Sequence, residues 1–163
     1  MNPQLRLATS DDLPSINDIY NHYVQTSTAT FQELPETMTH RQTWFANHGP
    51  THPVIVAQIN NQTVGWGSLS PFHPRSAYRW TVENSVYIHP EFQRRGIGSA
   101  LLAQLIDLSR KAGHHSIVAI IDASQSNSVA LHAKFGFVQV AYLKEVGFKF
   151  NRWLDVIDMQ LLL

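Results

Sequence analysis

In the segment Gln93-Arg94-Arg95-Gly96-Ile97-Gly98-Ser99, side-chain and backbone chemistry converge. It follows an extended run, Val86-Tyr87-Ile88, and a helical pattern begins directly behind it. The first N–H groups of a helix have no partner inside it, and the helix dipole places partial positive charge there. Glycines let an anion come close to the backbone, and the two arginines add charge-assisted bonds. The arrangement predicts a phosphate or pyrophosphate cradle. The competing reading is a glycine-containing turn with solvated arginines. The preceding strand, the Gln/Arg lead-in and the strong helix behind weigh against it. Two common phosphate loops fit worse. There is no Walker Lys-Ser/Thr, and the third glycine of the dinucleotide fingerprint is missing.

Other residues could do chemistry, but their types alone leave alternatives open. Glu83 is either a general base or a sheet-edge carboxylate in solvent. His132 is a lone histidine on a short helix, a setting that is more often structural. Arg75 could clamp a carboxylate bidentately or stand in water. His114-His115 follow Gly113 in a turn, where adjacent side chains diverge. No histidine pair has ligand spacing on an obvious helix, so no metal is expected.

The elements that position these residues can be read from hydrophobic spacing. Leu5 to Ala8 is a short strand, and Thr9-Ser10-Asp11-Asp12 offers capping side chains for a helix. Leu13, Ile16, Ile19, Tyr20 and Tyr23 follow at helical spacing, with Pro14 harmless in the first turn. Thr26 to Glu36 is irregular, and a weaker helix covers Thr39 to Ala46. Val54 to Ala57 and Val64 to Leu69 are strands, with Asn60-Asn61 as a hairpin turn between them. Thr81 to Ile88 is a strand that leads into the cradle. The next helix has the stripe Leu101, Leu102, Leu105, Ile106 and Leu108, and Gly113 closes it. Ser116 to Ile121 reads as a buried strand of the parallel type. A polar stretch leads to a short helix ending at Gly136. Phe137 to Leu143 and Leu154 to Leu162 are the final strands. The scattered tryptophans and phenylalanines read as core and pocket wall.

Composition narrows the class. The chain has 163 residues, 44% hydrophobic and 15% charged, which fits one globular domain with a real core. Twelve Lys plus Arg balance 12 Asp plus Glu, so no nucleic-acid partner is expected. With no cysteine, disulfides, thiolate zinc sites and cysteine nucleophiles are excluded. The N-terminal stretch from Met1 to Arg6 has no apolar run to serve as a leader, and no run is long enough to span a bilayer. A cytoplasmic protein without membrane contact is expected.

Gln93-x-x-Gly96-x-Gly98 after a strand, opening a long helix, resembles the acetyl-coenzyme A signature of the GNAT superfamily of N-acetyltransferases. Ser128-Val129-Ala130-Leu131-His132-Ala133-Lys134-Phe135-Gly136-Phe137 resembles that superfamily's helix–Gly–Phe segment. Further blocks are similar to the phosphinothricin and methionine sulfoximine acetyltransferases. These are Tyr20-Asn21-His22-Tyr23, Thr26 to Phe31, Arg75, Tyr78 to Tyr87, Val146 to Lys149, and Trp153 to Val156. They stand in the same order over almost the whole chain.

The resemblance implies an α/β fold: a single N-acetyltransferase domain over residues 1–163. Its α+β mixed, mostly antiparallel sheet would be flanked by about four helices. It implies acetyl-CoA as cosubstrate, held by Gln93 to Ser99. Val86, Tyr87 and Ile88 would be splayed from Ser116 to Ile121, their free backbone groups pairing with the coenzyme's amide-bearing arm, and an N–H there could steady an oxyanion. Glu83 would be general base through a water. His132 stands where the superfamily usually has a tyrosine thought to protonate the thiolate; whether it is acid, base or orienting group is open. Gln125 replaces a common asparagine that contacts the coenzyme, and Asn127 is the alternative. Arg75 would hold the acceptor's carboxylate, Tyr78 its polar end, and Phe31 would wall the pocket. The acceptor would be a small amino-acid analogue, and the protein a homodimer. Competing readings are a non-catalytic acetyl-CoA-sensing module and an acetyltransferase for a protein N-terminus or a polyamine. A Rossmann-type oxidoreductase is a distant third.

Overall fold

The structure, a computed structural model, describes residues 3–163; Met1 and Asn2, the start of the stretch read for a leader, lie outside it. The chain runs β1 (Gln4–Leu7), α1 (Leu13–Thr26), α2 (Met38–Ala46), β2 (Val54–Ile59), β3 (Gln62–Pro71), β4 (Thr81–Ile88), α3 (Ile97–Lys111), β5 (Ser116–Asp122), α4 (Ser126–Lys134), β6 (Val138–Lys149) and β7 (Arg152–Leu162). This is the expected order. The strands form one seven-stranded sheet, β1-β2-β3-β4-β5-β7-β6, in which only β4 and β5 are parallel. No helix among the described residues is long and apolar enough to cross a membrane.

Each sheet face is buried by the helical stripe read from the sequence. Leu13, Ile16 and Ile19 of α1 pack on Val54, Val56 and Trp66. On the other face, Leu101, Leu102, Leu105 and Ile106 of α3 meet Ile55, Leu69, Val82 and Ile117. Burying each such side chain contributes about 1.5–3 kcal/mol. Gly67 makes the α3 contact possible: a Cβ there would lie 2.9 Å from Leu105 Cδ1 and 3.0 Å from the Ser85 carbonyl. Asp12 anchors the start of α1. It accepts bonds from Arg6 at 2.7 and 2.8 Å and from the Thr9 N–H at 2.8 Å.

Three expectations need correction. First, β5 is parallel to β4 over three residue pairs only, and antiparallel to β7 over seven. Its apolar run reflects a central position rather than a parallel sheet. Second, β6 does not end at Leu143. Lys144-Glu145 lies in a bulge, with Glu145 at φ 51°. Asp155 of β7 holds it by accepting from the Glu145 N–H at 2.8 Å and the Tyr142 hydroxyl at 2.6 Å. Third, Trp80, Phe148, Phe150 and Trp153 are exposed and lie outside the core. The last three belong to the β6–β7 hairpin, whose far end runs past the end of β5.

Candidate active site

Beyond the rung that pairs Glu83 with Val118, β4 and β5 no longer pair. Asn84 to Ile88 on one strand and Ala119 to Asp122 on the other border a wedge within the sheet. This is the splay expected around Val86, Tyr87 and Ile88. Ile88 is less open than expected, because its carbonyl accepts from the Tyr23 hydroxyl. Tyr87 turns its ring away from the α3 side and stacks on Trp66 at 5.0 Å. Val86 and Ile88 pack against the α3 core.

At the end of β4 the chain makes the turn that aims α3. Arg94 and Gly96 have φ 59° and 79°, and Gly96 caps the helix. The left-handed backbone at Gly96 is where a glycine is required. The Ala100 N–H bonds to the Gly96 carbonyl at 3.0 Å. The N–H groups of Ile97, Gly98 and Ser99 precede that first helical bond and have no acceptor within α3. Arg94 and Arg95 are exposed, with the Arg95 guanidinium over the Phe92 ring at 4.9 Å. Gln93 braces the loop against α1, its amide donating to Tyr23 Oη at 2.8 Å.

Glu83 sits at the apex of the wedge. Burial, with the charge of Asp158 on β7 as a second cause, pushes its carboxyl above the usual carboxylate range. Successive strand residues face opposite sides, so Glu83 and Asn84 project to opposite faces of the sheet. His132 is on the Asn84 side. It is 4% exposed, and its Nε2 lies 2.9 Å from Asn84 Nδ2. The structure therefore does not bring Glu83 and His132 together. Gln125 donates to Thr28 Oγ1 at 3.2 Å, whereas Asn127 is exposed at the start of α4.

Arg75 and Tyr78 lie in the exposed loop before β4. Tyr78 packs against His73 and Phe72 at 5.0 and 5.9 Å. Phe31 is 37% exposed, and its ring fills the space beside Gly147, where any Cβ would collide with it. Lys149, two residues on, donates to the carbonyls of Ser27 and Thr30, both at 2.8 Å. The β6–β7 hairpin thus pins the loop that carries Phe31.

Sequence reasoning gave no role to Asn84, Tyr23, Lys149 or Arg41. Strand alternation at Glu83-Asn84 was the available signal for Asn84. Arg41, 4% exposed, is held between the Tyr20 and Trp44 rings at 4.7 and 4.6 Å and donates to Asn17 at 3.1 Å. It borders a crevice of about 390 Å³ lined by Tyr20, Glu36, His40, Arg41, Thr43 and Trp44. Nothing in its spacing distinguished it from a solvated arginine. Among the described residues no group of three or more His, Asp or Glu could hold a metal ion.

A wedge with unpaired strand edges, a helix N-terminus at its mouth and a proton-seeking carboxyl at its apex suits a transferase. Such an enzyme lays a phosphate-bearing, amide-rich thioester along a strand and delivers its acyl group to an amine. Residues 16–137 match the acetyltransferase (GNAT) family, and the chain belongs to it. It is an acetyl-CoA-dependent N-acetyltransferase. It is 38% identical to the L-methionine sulfoximine/L-methionine sulfone acetyltransferase of Salmonella typhimurium, over 96% of this chain and 92% of that one. It is 40% identical to the phosphinothricin N-acetyltransferase of Alcaligenes faecalis, over 96% of this chain and 80% of that one. A GNAT phosphinothricin acetyltransferase of Sinorhizobium meliloti, solved with acetyl-CoA, superposes with a TM-score of 0.97. That pair shares 36% identity and covers 100% of this chain and 89% of the other.

Proposed function

We propose that the enzyme acetylates the amine of small amino-acid analogues of the phosphinothricin, methionine sulfoximine or methionine sulfone type, with Glu83 as general base. The observation that carries the acceptor class is the 38–40% identity, over 96% of the chain, to enzymes bearing those names. The observation that supports the base is the half-buried position of Glu83 at the apex of the wedge. Acetyl-CoA supplies an activated acyl group. The α3 N–H groups with Arg94 and Arg95 hold its pyrophosphate, and the β4 backbone beside Val86 aligns its arm. An amino-acid amine is mostly ammonium at neutral pH. Glu83, its proton affinity raised, accepts that proton through a water and frees the nucleophile. Arg75 receives the acceptor's carboxylate, Tyr78 its polar end, and Phe31 closes the wall.

We also read the protein as a cytoplasmic homodimer. Val138, Val140, Tyr142, Val146 and Phe148 leave β6, the outer strand, with an uncovered apolar surface. A thiol-release assay with acetyl-CoA tests the acceptor. Turnover is expected on phosphinothricin, methionine sulfoximine and methionine sulfone. Turnover on peptides or polyamines alone would overturn this reading. Coenzyme binding without turnover on any amine would make the chain a sensing module.

A further inference from the structure

His132 has both ring nitrogens engaged. Its Nδ1 lies 2.8 Å from the Ser128 carbonyl, one turn earlier in α4. A carbonyl can only accept, so Nδ1 carries a proton. Burial pushes the ring's proton affinity down, with the Ser128 bond opposing, so the imidazole is neutral. Its hydrogen-bond and ring partners are Asn84 of β4, Ser128 of α4 and Phe137 just before β6, none of which is charged. A neutral ring has one N–H, already placed on Nδ1. Nε2 is therefore an acceptor, and its partner is an N–H of the Asn84 amide at 2.9 Å. Such a histidine has no proton to give at Nε2 and no free lone pair to receive one.

The position of Asn84 explains what this pair is for. It is the first residue past the last rung between β4 and β5, at the base of the wedge. The chain of bonds from Ser128 through His132 to Asn84 ties α4 to β4 across that base. The Asn84 Oδ1 is buried and has no partner. A buried carbonyl left unpaired is uncommon and concentrates at functional sites. Turning the amide over would satisfy Oδ1 only against an imidazolium, which burial disfavours.

We propose that Asn84 is a positioning residue. With His132 it forms a strut that sets the width of the wedge, and His132 serves as a fixed neutral acceptor rather than as the proton donor to the leaving thiolate. This rests on reading the wedge as the coenzyme cleft. In the transfer, the amine nitrogen forms the new C–N bond and loses its second proton to Glu83, which has by then passed the ammonium proton on to solvent. The C–S bond breaks with its electron pair on sulfur. The thiolate leaves as such and takes up a proton from solvent later, which a thiol with an ordinary pKa near ~8.5 permits.

Two measurements on the whole 163-residue chain test the strut. In ¹⁵N-histidine NMR, the His132 Nδ1 should be protonated and Nε2 bare from roughly pH 7 to 9. A protonated Nε2 in that range would overturn the proposal. This reading needs no turnover, so it stands or falls apart from the acceptor assignment. In kinetics, Asn84→Ala and His132→Ala should each lower kcat roughly tenfold, and the double variant should fall no further. Asn84→Asp gives opposite signs for the two readings. Its carboxylate calls for an Nε2–H and draws a proton onto the ring. The strut predicts a kcat roughly tenfold lower with the KM for acetyl-CoA within about twofold, since the cradle is untouched. Higher kcat above neutral pH in Asn84→Asp would show that His132 acts as an acid, as would a loss of 10²- to 10⁴-fold in His132→Ala alone.

Discussion

Glu83 is held in an environment that suits a general base and strains the fold. Its carboxyl is raised by burial first and by Asp158 second, so the folded state binds that proton more tightly than the unfolded chain does. Stability linked to this group is greatest below its ordinary pKa and falls as pH rises through the raised folded value. Replacing it with glutamine should therefore raise the melting temperature at neutral pH while lowering kcat by about 100-fold or more. Thermal unfolding and thiol release on the same Glu83→Gln preparation check both signs; a variant that keeps parental turnover would remove Glu83 as base. The parent's kcat/KM should climb with pH through an acid limb set above the usual carboxylate range, and that limb should vanish in the variant. The positions proposed for Glu83 and the cradle could be picked out in the sequence, Glu83 from the block Tyr78 to Tyr87 and the cradle from Gln93-x-x-Gly96-x-Gly98, because both are local patterns. Asn84 sits beside Glu83 in the same block, yet its role was hidden. That role depends on α4 returning to β4, and no local pattern encodes the meeting.

Among the elements, α1 shows how a short signal fixes a helix start. The Thr9 to Asp12 capping segment was readable, but not its partner. Arg6 reaches Asp12 from β1, and Thr63 approaches Asp12 from β3 at 3.4 Å. Burial raises the Asp12 carboxyl, but the Arg6 and Thr9 bonds outweigh burial and hold it below the ordinary value. The contribution is present above the ordinary carboxylate pKa and lost as pH falls through the depressed folded value. Asp12→Asn should cost about 2 kcal/mol at neutral pH, and much less at pH near ~3, where the parent has begun to lose the same interaction. Urea unfolding at the two pH values measures the difference. The α1 and α3 stripes and the Asn60-Asn61 hairpin, with φ 51° and 63°, were legible because periodicity and turn chemistry are local. The length of β6 was not. Its bulge looks like a strand end until Asp155 arrives from the next strand to hold it.

At the scale of the whole molecule, the strand order could not be read along the chain, since β7 enters between β5 and β6. The β6–β7 hairpin joins two proposals. β6 carries along its length the apolar surface assigned to the dimer, and its last residues hold Phe31 through Gly147 and Lys149. A charge on that surface, Val140→Glu, should yield monomers by sedimentation. It should also raise the acceptor's KM several-fold, roughly 3–10, with the KM for acetyl-CoA changed less. Dissociation with both constants unmoved would separate the interface from the acceptor loop. The wedge has a wider consequence. Each strand beside it keeps one neighbour and lacks the other, so the sheet contains an edge that faces inward. Outward edges recruit stray strands. This one is closed at its base by the Thr81–Glu83 rungs and admits only a thin guest. On the proposed reading of the wedge as the coenzyme cleft, bound acetyl-CoA completes the sheet, and its removal should speed amide exchange between Asn84 and Ile88. The firmness of that part of the sheet would then follow the supply of the coenzyme.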